Sequence, residues 1–305
     1  MIAVAAAIVA CTSAGVFAEH RHGAGAKRAA RGALDFMFFL LIPFVTFFSL
    51  ARLHVTAGVG IGLGLAYVAL AIVGVLAWLL ATRVLKLSRP ATGALLCVVT
   101  LANTGYLGLP LSVALLGSAA LPAAIAFDSL VSGPMFYLSG FAIGAAFGDH
   151  DERGRAALLK RFVLRNPPLL AAAAGLLAPA SVAPNLLVDA AHHAVWGLLA
   201  LGFFALGVNL GAEAEEGALV FPPPLTKPVG AAIVLRLAVA PALLAAFAAL
   251  VVHVPHVYLL QAAMPSGINS LVIGHAYGLD LRLASSALAW TTAIVLVGGL
   301  IGSAL

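Results

Sequence analysis

Leu101-Ala-Asn-Thr-Gly-Tyr-Leu-Gly-Leu-Pro110 and Ala263-Met-Pro-Ser-Gly-Ile-Asn-Ser270 are two clusters of Asn, Gly and Pro inside apolar, membrane-length segments. They stand about half of the 305-residue chain apart. In lipid every backbone N–H and C=O must be satisfied, so a helix breaker at depth survives only where protein or a water-filled cavity surrounds it. Matched breaks in the two halves of a chain point to the binding site of a secondary transporter built from inverted repeats.

The surrounding sequence decides whether such a reading is admissible. The chain is 63% hydrophobic and 9% charged, against about 25% charged residues in soluble domains. That makes it an integral membrane protein. Its two cysteines, Cys11 and Cys97, lie in apolar runs and offer neither a disulfide framework nor a metal-type spacing. Residues 1–18 form an apolar run in which Ile8-Val-Ala-Cys11 superficially resembles a lipoprotein cleavage site, but nothing basic precedes residue 21. A signal peptide needs a positive region ahead of its apolar stretch, so the run reads as a first transmembrane helix, short at its left end, with residues expected upstream.

Runs of the length that crosses a bilayer, about 17–25 residues, number ten: 1–18, 33–51, 57–81, 91–116, 121–147, 163–179, 186–210, 228–252, 256–276 and 283–304. Lys and Arg orient them, because cytoplasmic connections carry the excess. The connections after the odd-numbered runs, with Arg165 at the edge of the sixth run counted in the connection before it, hold fourteen of the sixteen basic residues. Of the other two, Arg52 is in an even-numbered connection and Arg236 lies inside the eighth run. The odd connections are therefore assigned to the cytoplasm and both termini to the outside. The net charge of +5 is in this light a topology signal, and no nucleic-acid partner is expected.

Five spans per half is an odd number, so the second half must insert upside down relative to the first. The expected architecture is an all-α membrane protein of ten transmembrane helices in two inverted five-helix repeats, residues 1–147 and 166–305, joined by a cytoplasmic linker at 148–165. The broken segments are then helices four and nine, which enter from opposite faces and can cross at the midplane. Gly105, Gly108 and Pro110 in one, and Pro265, Ser266 and Gly267 in the other, are read as the breakers, since Gly lowers helix propensity and Pro removes a donor.

A broken helix exposes an N-terminus whose N–H groups and dipole favour an anion, and a C-terminus whose carbonyls favour a cation. Two crossed breaks bring two positive ends together, so a carboxylate is the expected ligand. Asn103, Thr104, Gly105, Pro110, Pro265, Ser266, Gly267 and Asn269 are the candidate substrate-binding residues. Simple packing kinks are the competing explanation, which two matched, Asn-bearing segments make the weaker one.

Asn103-Thr-Gly-Tyr-Leu-Gly-Leu-Pro-Leu111 and Ala263-Met-Pro-Ser-Gly-Ile-Asn-Ser-Leu-Val272, followed by Tyr277-Gly-Leu-Asp280, resemble the auxin efflux carrier family, whose bacterial members are often called malonate or malate permeases. Asn166-Pro-Pro and Gly207-Val-Asn-Leu210 also fit, so the resemblance covers essentially the whole chain. It implies the fold of the bile-acid:sodium symporters, with a scaffold panel from 1–51 and 166–210 and a transport core from 57–147 and 228–305. It also implies organic-anion substrates, elevator-like alternating access, a homodimer formed through the scaffold, and no cofactor. The short connection at 211–227 departs from plant auxin carriers and favours a bacterial inner-membrane permease.

Ionisable residues inside membrane spans are functional candidates. Asp128 in the fifth run and Arg236 in the eighth are expected to form an ion pair, serving either as a brace or in substrate charge balance or proton coupling. Asp35 lies near an interface, where a solvated role is expected. Runs 91–116 and 256–276 contain no Asp or Glu, which argues against a built-in sodium site and for coupling through Asp128 or potential-driven movement of the anion. A sodium-coupled symporter and a non-transporting anion sensor or channel are the alternatives kept open. No metal-protease or serine-nucleophile motif is present, so no enzyme is expected.

Overall fold

The computed structural model describes residues 2–54, 56–148, 167–215 and 222–302, and among these the regular elements are helices. The linker proposed at 148–165 lies outside the described residues apart from Gly148, as do Asn166 and Glu216. In chain order the helices are α1 (Ile2–His22), α2 (Ala24–Leu50) and α3 (Ala57–Val84), and α4 (Arg89–Thr100). Next come α5 (Thr104–Leu116), α6 (Ser118–Phe147) and α7 (Pro167–Leu177), then α8 (Asn185–Glu215) and α9 (Lys227–Leu250). The last three are α10 (His256–Ala262), α11 (Asn269–Tyr277) and α12 (Leu281–Gly302). Six stretches are long and apolar enough to cross a membrane: Ala24–Leu50, Ala57–Val84, Ser118–Phe147, Asn185–Ala212, Lys227–Leu250 and Leu281–Gly299. Helix lies under each of the ten runs read from the sequence, interrupted in the fourth and the ninth.

One connection differs from its sequence reading. The basic stretch after the first run is helical: Gly23, with φ of 45°, turns the chain, and α2 starts at once. Ala26 and Ala30 of α2 pack against Ala205 and Val208 of α8, which gives this polar stretch an apolar stripe to bury. Lys27 reaches back to the buried Glu19 of α1, Nζ to Oε1 3.4 Å.

Helix α1 runs along α8, and α2 packs against both α7 and α8. The α1–α8 contact depends on glycine. A Cβ on Gly15 would stand 2.2 Å from the Phe204 carbonyl oxygen, and one on Gly207 2.1 Å from that of Thr12. Small residues at such seams let helix backbones approach where no hydrophobic force between helices exists in lipid. Of the remaining helices, α3, α6, α9, α11 and α12 pack on α4, and Ala94, Leu95, Cys97, Val98 and Val99 are buried in that cluster.

Both interruptions fall inside this cluster. Helix α4 starts under a Ser88 cap with Pro90 in its first turn, runs to Thr100, and turns extended at Leu101. Helix α10 ends at Ala262, and residues 263–268 carry the chain to α11. The two breaks meet as an antiparallel bridge between Ala102 and Ser266. Asn103 N–H donates to the Pro265 carbonyl at 2.8 Å, and Gly267 N–H to that of Leu101 at 2.7 Å. The crossing thus satisfies, from the other break, groups that neither helix could satisfy alone.

Candidate functional site

The crossover is held from behind by one cation. Arg236 of α9 is 1% exposed. It donates from Nη1 to the Val99 carbonyl at 3.0 Å, from Nε to that of Met264 at 3.0 Å, and from Nη2 to that of Ala262. Val99 and Ala262 belong to the last turns of α4 and α10, whose carbonyl ends favour positive charge. One guanidinium therefore ties both half-helix C-termini together. The ion pair expected between Asp128 and Arg236 is not formed. Arg236 is engaged with these carbonyls, and Asp128 instead accepts from the Thr104 hydroxyl at 2.5 Å.

Other groups close the back of the crossing. Ser266, fully buried, donates its hydroxyl to the Val98 carbonyl at 2.7 Å and its N–H to the Thr291 hydroxyl of α12 at 3.2 Å. Pro265 contributes its carbonyl to Asn103. Pro110 sits inside α5, beyond a π-helical turn at Thr104–Gly108. None of these three faces the cavity described next. Ser266 and Pro265 serve the backbone of the break, and Pro110 lies past it, since the interruption falls at 101–103 rather than at the proline.

In front of the crossing is a cavity of about 140 Å³. Asn103, Thr104, Gly105, Gly267 and Asn269, all expected from the sequence, line it together with Asp128. The first turns of α5 and α11 both border it, so two positive helix ends share one space. Its walls come from α2 (Phe38, Ile42), α6 (Phe136, Tyr137) and α7 (Pro168, Leu169). Among the described residues no Lys, Arg or His lines it.

Several polar groups around this cavity lack partners among the described residues. The Asn103 side chain is 4% exposed and accepts from Leu107 N–H through Oδ1 at 3.3 Å, leaving its amide nitrogen without an acceptor. The Asn269 side chain makes no hydrogen bond. Ser129, 7% exposed, has an unpartnered Oγ. Buried polar groups are normally paired, so the buried Ser129 hydroxyl, with the Asn103 amide nitrogen and the half-buried Asn269 side chain beside it, marks a place where a ligand or water completes the set. Of the six π-helical segments among the described residues, one (Asp128–Ser132) carries Asp128 and another (Leu235–Val239) carries Arg236. Such turns recur at functional sites because they re-aim a side chain without ending the helix.

Sequence reasoning missed Ser129, Tyr106, Phe136 and Tyr137, whose residue types are unremarkable in apolar helices. It also passed over Glu19, which is 1% exposed and ends an apolar run just as a solvated residue would. Asp35 is exposed, as its position near an interface implied.

Residues 158–301 match the family described as "Membrane transport protein". A relative in Methanocaldococcus jannaschii, described as an uncharacterized transporter, is 27% identical over 237 residues, which span 74% of this chain and 72% of that protein. Both findings agree with the resemblance carried by the two crossover motifs.

Proposed function

We propose that this member of the auxin efflux carrier family, a multi-pass membrane transporter, moves a small carboxylate-bearing substrate by alternating access at the crossover. The observation that carries the reading is the convergence of two half-helix N-termini on one cavity, bordered by the Asn103 amide nitrogen and by the Asn269 and Ser129 side chains, which have no partner among the described residues. Helix ends of this kind bind carboxylates through backbone N–H groups, without requiring a basic side chain.

The packing supports a two-body division. Helices α1, α2 and α8 lie against one another with α7 on α2, and α3, α6, α9, α11 and α12 gather around α4. The cavity is bordered by both groups, with Phe38, Ile42, Pro168 and Leu169 from the first. Sliding the second group past the first would carry the crossover and its ligand as a unit, which is elevator motion. In this scheme the ten spans form two inverted five-helix repeats, with both termini outside a bacterial inner membrane.

Sodium coupling is the weaker alternative. The carbonyl ends that would attract a metal cation are already held by Arg236, and Asp128 is the one acidic side chain lining the cavity. Protonation of Asp128 offers one route to neutralise it beside an anion. Uptake of radiolabelled carboxylates into vesicles containing the purified protein tests the proposal: saturable uptake in sodium-free buffer is expected, and uptake that collapses without sodium would reject the coupling scheme.

A further inference from the structure

The two helix ends at the cavity are not equivalent. The first turn of α5 already faces an anion. Asp128 accepts from Thr104, and its carboxylate oxygens lie 3.3 and 3.4 Å from where a Cβ on Gly105 would stand. The Asn103 carbonyl arm caps Leu107 N–H of the same helix. The first turn of α11 has no such help. Its cap position is Ile268, which offers no side-chain acceptor, and the N–H groups of Ile268 and Asn269 donate to nothing among the described residues.

The N–H groups that can receive a carboxylate are therefore those at the start of α11. A second carboxylate would meet Asp128 in a cavity that no basic side chain lines among the described residues. Two helix ends supply about half a positive charge each, and Asp128 supplies one negative charge. A site that is neutral in sum but has separated poles matches a ligand of the same kind. Burying an uncompensated charge is costly, and a substrate that brings its own counter-charge avoids that cost.

We propose that the substrate is a small zwitterionic amino acid with an apolar side chain. Its carboxylate sits on the Ile268 and Asn269 N–H groups, and its ammonium faces the Asp128 carboxylate. Phe38, Phe136 and Tyr137 enclose the apolar side chain, and the cavity of about 140 Å³, roughly what holds one benzene molecule, must take the whole amino acid and so favours a small side chain. The Asn103 amide and the Ser129 hydroxyl complete the polar side of the pocket. This proposal rests on the reading of the crossover as a carboxylate site.

The test is a ligand panel on the purified full-length protein, read by thermal stabilisation and by competition of uptake in proteoliposomes. Alanine, valine, leucine and phenylalanine are each compared with the matching acid lacking the ammonium and the matching amine lacking the carboxylate; malonate is added. At least one amino acid is expected to bind roughly tenfold or more tightly than both of its truncated partners, the loss of one charged hydrogen-bonding group. Asp128→Asn is expected to erase the preference for the amino acid over its ammonium-free acid. If that variant does not fold, the wild-type panel decides alone. Ammonium-free acids or malonate binding as tightly as the amino acids would overturn the zwitterion assignment and leave the carboxylate site standing. Failure of every carboxylate-bearing compound to bind would overturn both.

Discussion

Arg236 answers with one side chain a problem that both broken helices share. Each break leaves carbonyls without partners, and the planar guanidinium reaches three of them from two segments. Arg236→Ala leaves those carbonyls buried and unpaired, and a cost of about 3 kcal/mol or more is expected. A large drop in melting temperature in detergent checks it, and Arg236→Lys should recover only part, since a compact ammonium cannot span the three acceptors. Unchanged melting of both variants would remove Arg236 from this role. Asn103 and Asn269 behave differently. The first makes one side-chain hydrogen bond and the second none among the described residues, so replacing either with Ala should cost at most about 1.5 kcal/mol of stability while abolishing transport. Uptake assays beside melting curves separate the two effects, and wild-type rates in both mutants would exclude these residues from the site. Both were legible in the sequence because an amide in an apolar, Gly-rich span has few structural uses. Ser129 and Tyr137 were not, because Ser and Tyr are at home in any membrane helix.

At the scale of elements, the breaks were legible but their exact location was not. Gly105, Gly108 and Pro110 read as the interruption in the fourth run, yet the chain leaves helical geometry at Leu101 and resumes it at Thr104. What decides the location is the partner break: Asn103 and Gly267 spend their N–H groups on carbonyls more than a hundred residues away in sequence. No local pattern reports such a pairing. The same non-local contact explains Gly267, whose Cβ would stand 2.9 Å from the Ala102 carbonyl oxygen. Gly267→Ala should therefore force the crossing apart, costing about 1–3 kcal/mol as an overpacked contact does. Thermal melting together with loss of ligand-induced stabilisation is the check, and a variant that binds and melts like the wild type would mean that the two strands separate easily. The expected Asp128–Arg236 pair failed for a related reason. Sequence distance shows that two charges share a core, but not that helix-end carbonyls and a Thr104 hydroxyl already claim them.

For the whole molecule, the loop charges carried most of the information. Basic residues concentrate in alternate connections between ten apolar runs, and among the described residues helix underlies each run. The structure adds what charge counting cannot see, that the stretch after α1 is a packed helix rather than a loop. The proposed topology would put Arg28 and Arg282 on one face of the membrane and Ser118 on the other. Single cysteines at these positions, in a background lacking Cys11 and Cys97, should react with an impermeant maleimide from opposite sides; labelling of all three from one side would break the inverted arrangement. The central claim is that the crossover is the transport site, and proteoliposome uptake tests it most directly. Purified wild-type protein should accumulate a carboxylate-bearing substrate saturably without sodium, and Asn269→Ala protein that is folded and inserted should not. Uptake undiminished in that variant, or specific binding by the wild type without any uptake, would contradict the account.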